Sequence, residues 1–151
     1  MPRMAQGHRL RSGRFSETGR IYSITIICWQ RNSLFSTLPQ GRCAVQAMQG
    51  TSWQANTLCF VVMPDHVHWL LQLRDDARLS DVVQKMKSLA CKRWRRLCGT
   101  NRPLWQRGFH DRALRIDDDV VAAARYIIAN PLRAGLVRSV RDYSLWDAVW
   151  I

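Results

Sequence analysis

The chain predicts an α+β fold: a ferredoxin-like, split βαβ arrangement with an antiparallel sheet on two helices, plus a C-terminal helix. Three observations carry this. Apolar segments of strand and helix period follow one another in the order β, α, β, β, α, β, α. Two of the strand-like runs are joined only by Pro64-Asp65, which makes them a hairpin. The stretch 79–98 carries one apolar stripe at helical spacing, long enough to cover a sheet.

Residues 21–29 are β-branched and aromatic and apolar on both sides, as in a central strand. Residues 33–39 form a loop, with Pro39 and Gly41 as punctuation. A short helix follows over 42–49, with Ala44, Val45 and Met48 on one side and Gly50 as its stop. Strands at 57–63 and 66–73 form the hairpin. The helix at 79–98 has Ser80 as N-cap, Asp81 at the positive end of its dipole and Gly99 as its stop. Its buried stripe is Leu79, Val82, Val83, Met86, Leu89, Ala90, Trp94 and Leu97. A fourth strand spans 104–116, with Gly108 as a bulge.

Asp117-Asp118-Asp119 opens the last helix, which buries Val120, Val121, Ala124, Ile127 and Ile128. Tyr126 and Asn130 fall on its other side, four residues apart, although Pro131 disfavours helical geometry at Asn130. The tail from 142 to 151, with Trp146 and Trp150, folds back as a short strand or apron. Residues 1–20 are a basic arm and 21–151 a single domain.

The 23 Lys and Arg against 11 Asp and Glu give a net charge of +12, which calls for a polyanionic partner, most often nucleic acid. The charge is clustered. Arg14 and its neighbours line the arm, Lys85, Lys87, Lys92, Arg93, Arg95 and Arg96 line the long helix, and Arg107, Arg112 and Arg115 flank the fourth strand. Asp111 is the single acid between 85 and 115. Trp105 among these arginines reads either as a base-stacking platform or as a packed aromatic. The five cysteines have no metal-ligand spacing and read as reduced thiols of a cytoplasmic protein. No apolar run approaches the ~20 residues of a membrane span.

His66 and His68 sit two apart in a strand, so both imidazoles project from one face. Two neutral imidazoles and a side-chain oxygen can hold a divalent cation with open positions for phosphate oxygens. A tyrosine beside such a phosphate can become a covalent nucleophile.

Met63-Pro-Asp-His-Val-His-Trp-Leu-Leu71, Leu104-Trp-Gln-Arg-Gly-Phe-His-Asp111 and Arg125-Tyr-Ile-Ile-Ala-Asn-Pro-Leu-Arg-Ala-Gly-Leu-Val137 resemble the REP-associated tyrosine transposases. These are single-tyrosine members of the HUH (His-hydrophobic-His) superfamily. The resemblance implies Mg- or Mn-dependent cleavage and rejoining of single-stranded DNA near hairpin repeats. It also implies a nucleoid-associated, cytoplasmic setting. By position it makes His66 and His68 metal ligands, Asn130 the third ligand and Tyr126 the nucleophile that takes the 5′-phosphate. The basic helix and the strand from Trp105 to Arg115 match the hairpin-binding side. Related insertion-sequence transposases are dimers that exchange tyrosine helices, so a homodimer is allowed but not required. The tail reads Tyr143-Ser144-Leu145-Trp146 where the family has a Tyr-Pro-Trp-Ser-like motif. Two other readings stay open: a non-catalytic nucleic-acid-binding module, and a metal-dependent hydrolase that uses water.

Overall fold

A computed structural model describes residues 20–115 and 118–149. Within them five strands form one sheet in the order β4-β1-β3-β2-β5. The strands are β1 (Ile21–Ile27), β2 (Ala55–Met63), β3 (His66–Leu73), β4 (His110–Ala113) and β5 (Trp146–Ala148). Every pairing is antiparallel. The first four strands have the split βαβ order, and β1 is central, as expected. The basic arm, Arg14 included, lies outside the described residues, as do Ile116, Asp117 and Trp150.

The two faces of the sheet are covered by different helices. Tyr22, Ile24 and Ile26 of β1 and Val67, Trp69, Leu71 and Leu73 of β3 point to one face. There they pack in one core with Ala44, Ala47 and Met48 of α1 (Leu38–Gln49) and Val82, Val83, Met86 and Trp94 of α2 (Leu79–Cys98). The alternate residues of β3, His66, His68 and Leu70, point the other way. Leu70 joins a second core there with Cys59, Val61 and Met63 of β2 and Ala124 and Ile127 of α3 (Val120–Ile128). Thus α3 lies on the histidine face.

Several local expectations are corrected. Helix α1 begins at Leu38 rather than 42, because Thr37 and Gln40 form a reciprocal capping box and Pro39 fits the first turn. Helix α2 spans 79–98 and ends at a left-handed Gly99, but its N-cap is Arg78, without a side-chain cap, and Ser80 sits inside the helix. Leu97 falls outside the stripe and is 50% exposed. The fourth strand is broken. Trp105 makes an isolated bridge to Cys28, the chain turns through Gly108 at a φ of 73°, and only His110–Ala113 pairs with β1. Gly108 thus marks an interruption rather than a bulge in a continuous strand.

The tail folds back as expected. Trp146–Ala148 pairs with the outer side of β2, and the Tyr143 hydroxyl donates to the Val62 carbonyl at 2.6 Å. No described helix is long and apolar enough to cross a membrane.

Candidate active site

The histidine pair is built at the start of β3. The Pro64-Asp65 turn is held from outside: Cys28 N–H donates to Asp65 O and Phe35 N–H to Pro64 O, both at 2.9 Å. This ties the turn to the end of β1 and sets where β3 begins. The imidazoles of His66 and His68 then stand with centroids 4.8 Å apart and planes at 89°.

Each ring is oriented through one nitrogen. His66 Nδ1 lies 2.6 Å from Asp65 Oδ1, and His68 Nδ1 lies 3.1 Å from Thr25 Oγ1, directly across the β1–β3 ladder. Asp65 is itself braced, because Arg31 Nη1 donates to its Oδ2 at 3.2 Å. With Nδ1 engaged on both rings, each Nε2 is the nitrogen left to offer a metal, the arrangement that outer-shell partners give to ligating histidines. Burial first, then the charges of His66 and Arg133, push the His68 pKa down to about 4. His68 is therefore neutral at pH 7, as a ligand must be. Burial raises the Asp65 carboxyl, but the His66 hydrogen bond and the His66 and Arg31 charges outweigh it and leave the pKa lowered. Asp65 stays ionised to hold His66.

The donor set suits a divalent cation that takes nitrogen and oxygen. No group of three or more His, Cys, Asp or Glu that could hold a metal occurs among the described residues, so Asn130, a residue with an amide oxygen, is the candidate to add to the pair. It lies in α4 (Asn130–Arg133), which follows α3 after one residue and packs against β2. Its Nδ2 donates to Ile127 O at 3.0 Å, leaving the amide oxygen to offer. Pro131 coincides with a break: α3 ends at Ile128, and a new helical turn starts at Asn130 with Pro131 in its first positions.

Tyr126 is on α3 and 67% exposed. The chain's other tyrosines are unavailable: Tyr22 is 1% exposed, and Tyr143 is half-buried with its hydroxyl committed to Val62. The Arg133 guanidinium lies over the Tyr126 ring, 3.8 Å from its centroid.

The predicted DNA contacts divide. Trp105 is 9% exposed, packs edge-on to Phe35 at 5.5 Å and donates Nε1–H to Lys87 O, so it is a core residue and not a stacking platform. Lys87 is turned inward and donates to the carbonyls of Gln106 and Gly108, clamping the loop before β4. Arg93 bonds Gln46 and Arg95 bonds Arg102 O, while Lys85 sits over the exposed Trp53 ring at 5.1 Å. Lys92, Arg96, Arg107 and Arg115 are exposed. Helix α2, with its cations, covers the sheet face opposite the histidines.

Thr25 and His110, which the sequence did not single out, belong to the histidine face with Arg112. The register aligns His110, Thr25, His68 and Val61 in one row, and Arg112, Ser23, Leu70 and Cys59 in the next. Helix α3 packs on β2, β3 and β5. On the β1–β4 half of this face Thr25 is half-buried and His110 and Arg112 are exposed, whereas Ile21 and Leu114 at its far end join the core with α3. Arg112 Nη2 lies 3.5 Å from Asp118 Oδ2 at the edge of this surface. The alternation of His110 and Arg112 about Asp111 signals a shared face, but only the strand pairing says which one.

Residues 18–130 match the family described as IS200-like transposases. A protein of Haemophilus influenzae assigned as a REP-associated tyrosine transposase is 27% identical over 138 residues, covering 83% of this chain and 77% of its own. The solved structure of a REP-associated tyrosine transposase bound to a REP hairpin superposes with a TM-score of 0.71 at 25% identity, covering 88% of this chain and 79% of that one. A structure from Deinococcus radiodurans described as a transposase shares the fold, with a TM-score of 0.54 at 17% identity over 78% of this chain and 95% of that one. The chain belongs to the IS200-like transposase family: it is a tyrosine transposase, similar to the REP-associated ones.

Proposed function

We propose that the protein cleaves and rejoins single-stranded DNA beside REP-type hairpins, through a covalent 5′-phosphotyrosine on Tyr126 and with Mg or Mn held by His66, His68 and Asn130. One observation carries this reading. An oriented imidazole pair and the helix of the chain's single exposed tyrosine share one face of the sheet. The similarity to a structure bound to a REP hairpin supports the substrate class, and the net charge of +12 suits it.

The ion, when bound, polarises the phosphodiester and offsets charge in the transition state. The chain's own groups do the rest. Asp65 and Thr25 hold the imidazoles in orientation. Tyr126 Oη attacks phosphorus: the Oη–P bond forms and the P–O3′ bond breaks. The tyrosine gives up its proton and the 3′-oxygen gains one. The ester bond count is unchanged, so a 3′-hydroxyl can reverse the step without ATP. The half-face of Thr25, His110 and Arg112 gives the scissile strand a polar, cationic approach to the pair.

The test is incubation with labelled hairpin DNA and Mn, followed by denaturing electrophoresis. Wild type should give a protein–DNA adduct, Tyr126→Phe none at unchanged hairpin affinity, and His68→Ala none in any metal. Cleavage that persists in Tyr126→Phe would instead identify water as the nucleophile. Binding without cleavage by the wild type across many hairpins would identify a binding module.

A further inference from the structure

Arg133 is seven residues beyond Tyr126, in α4. Its guanidinium carbon is 3.8 Å from the Tyr126 ring centroid, and its Nη1 donates to the Tyr126 carbonyl oxygen at 2.6 Å. A single side chain thus grips the tyrosine twice, by the ring face and by the main chain. In an unbroken helix, residues seven apart are separated by about 10 Å along the axis. The interruption at Ala129 and the restart with Pro131 in the first turn let the Arg133 side chain reach back.

An exposed tyrosine on a surface helix changes rotamer freely, on picosecond to nanosecond timescales. A nucleophile gains from being held in a single orientation. A planar guanidinium can lie on an aromatic face and make a directed hydrogen bond at once, which an ammonium cannot.

We infer that Arg133 is the positioning residue for Tyr126, holding the phenol through its ring face and its carbonyl in the orientation used for attack. The inference rests on Tyr126 being the nucleophile. The same break that frees Asn130 from α3 supplies this clamp, so α4 serves both the ion and the tyrosine.

The test has two arms on the full chain. In single-turnover cleavage of a labelled hairpin with saturating Mn, Arg133→Ala should lower the rate roughly 10- to 100-fold, with hairpin affinity and thermal midpoint unchanged. Arg133→Lys should recover part of the rate, because it keeps the charge and loses the flat contact. In DNA-free protein with ¹³C-labelled tyrosine, wild type should show Tyr126 ring contacts to Arg133 side-chain protons. In Arg133→Ala the Tyr126 ring signals should move toward those of a free tyrosine, while those of Tyr22 and Tyr143 stay in place. Equal cleavage by an active wild type and Arg133→Ala overturns the positioning role alone. Unmoved Tyr126 ring signals overturn it as well. An intact ring contact in a wild type that forms no adduct overturns the nucleophile, and the positioning role with it.

Discussion

At the scale of the residue, protonation and exposure select the chemistry. Tyr126 stands out because Tyr22 is buried and Tyr143 is spent on Val62. His68 stands out because it stays neutral far below pH 7. That property has a cost in acid. An unfolded His68 takes its proton near 6.5, whereas the folded one resists until about 4. The unfolded chain therefore binds more protons between these values. Stability from this group is complete above 6.5, is lost as pH falls toward 4, and levels off below. The full span is on the order of 3 kcal/mol. Urea titrations of metal-free protein should show it as a difference between wild type and His68→Gln. A flat difference across that range would show that His68 is not buried as described. The pair and the tyrosine were legible because a two-residue and a four-residue spacing are visible in one segment each. Their partners were not: Asp65 reads only as a turn residue, and Thr25 is 43 residues from His68 and meets it only through strand register.

Among the elements, periodicity was a good guide where one face is apolar and a poor one where polar groups decide. Strand β3 and helix α2 have the expected bounds. Helix α1 starts earlier because the Thr37–Gln40 capping box is a side-chain feature that hydrophobic spacing does not register. Thr37→Ala should lower stability by about 1 kcal/mol in chemical denaturation. The stretch around Trp105 misled for the opposite reason. Its arginines pointed to a nucleic-acid surface, while the indole is folded under Phe35 and Lys87. Trp105→Ala should therefore cost about 3–5 kcal/mol in the same measurement. A loss of hairpin affinity at unchanged stability would restore the stacking role.

Over the whole molecule, the split βαβ order follows from the chain's segment order, but the side of the sheet taken by each helix does not. Both α2 and α3 have one apolar stripe, and nothing local says which face each will cover. The structure puts the cations of α2 behind the sheet and Tyr126 in front. The exposed Arg107, Arg112 and Arg115 lie in and beside β4, at one edge of the sheet between these two faces. The excess charge should make binding strongly salt-dependent, with at least a roughly tenfold loss of affinity from about 50 to 200 mM salt. Fluorescence anisotropy at several salt concentrations measures the slope, and a flat line would exclude phosphate contacts as the main source of affinity. Arg112→Ala should reduce the slope by about one phosphate contact.

As the proposed nucleophile, Tyr126 becomes joined to DNA. Protein reacted with hairpin DNA and Mn can be digested with nuclease and protease, and the nucleotide-bearing peptide mapped by mass spectrometry. A nucleotide 5′-phosphate is expected on Tyr126 and none on Tyr22 or Tyr143. A nucleotide on either of those, or cleaved DNA with no modified tyrosine, would contradict it.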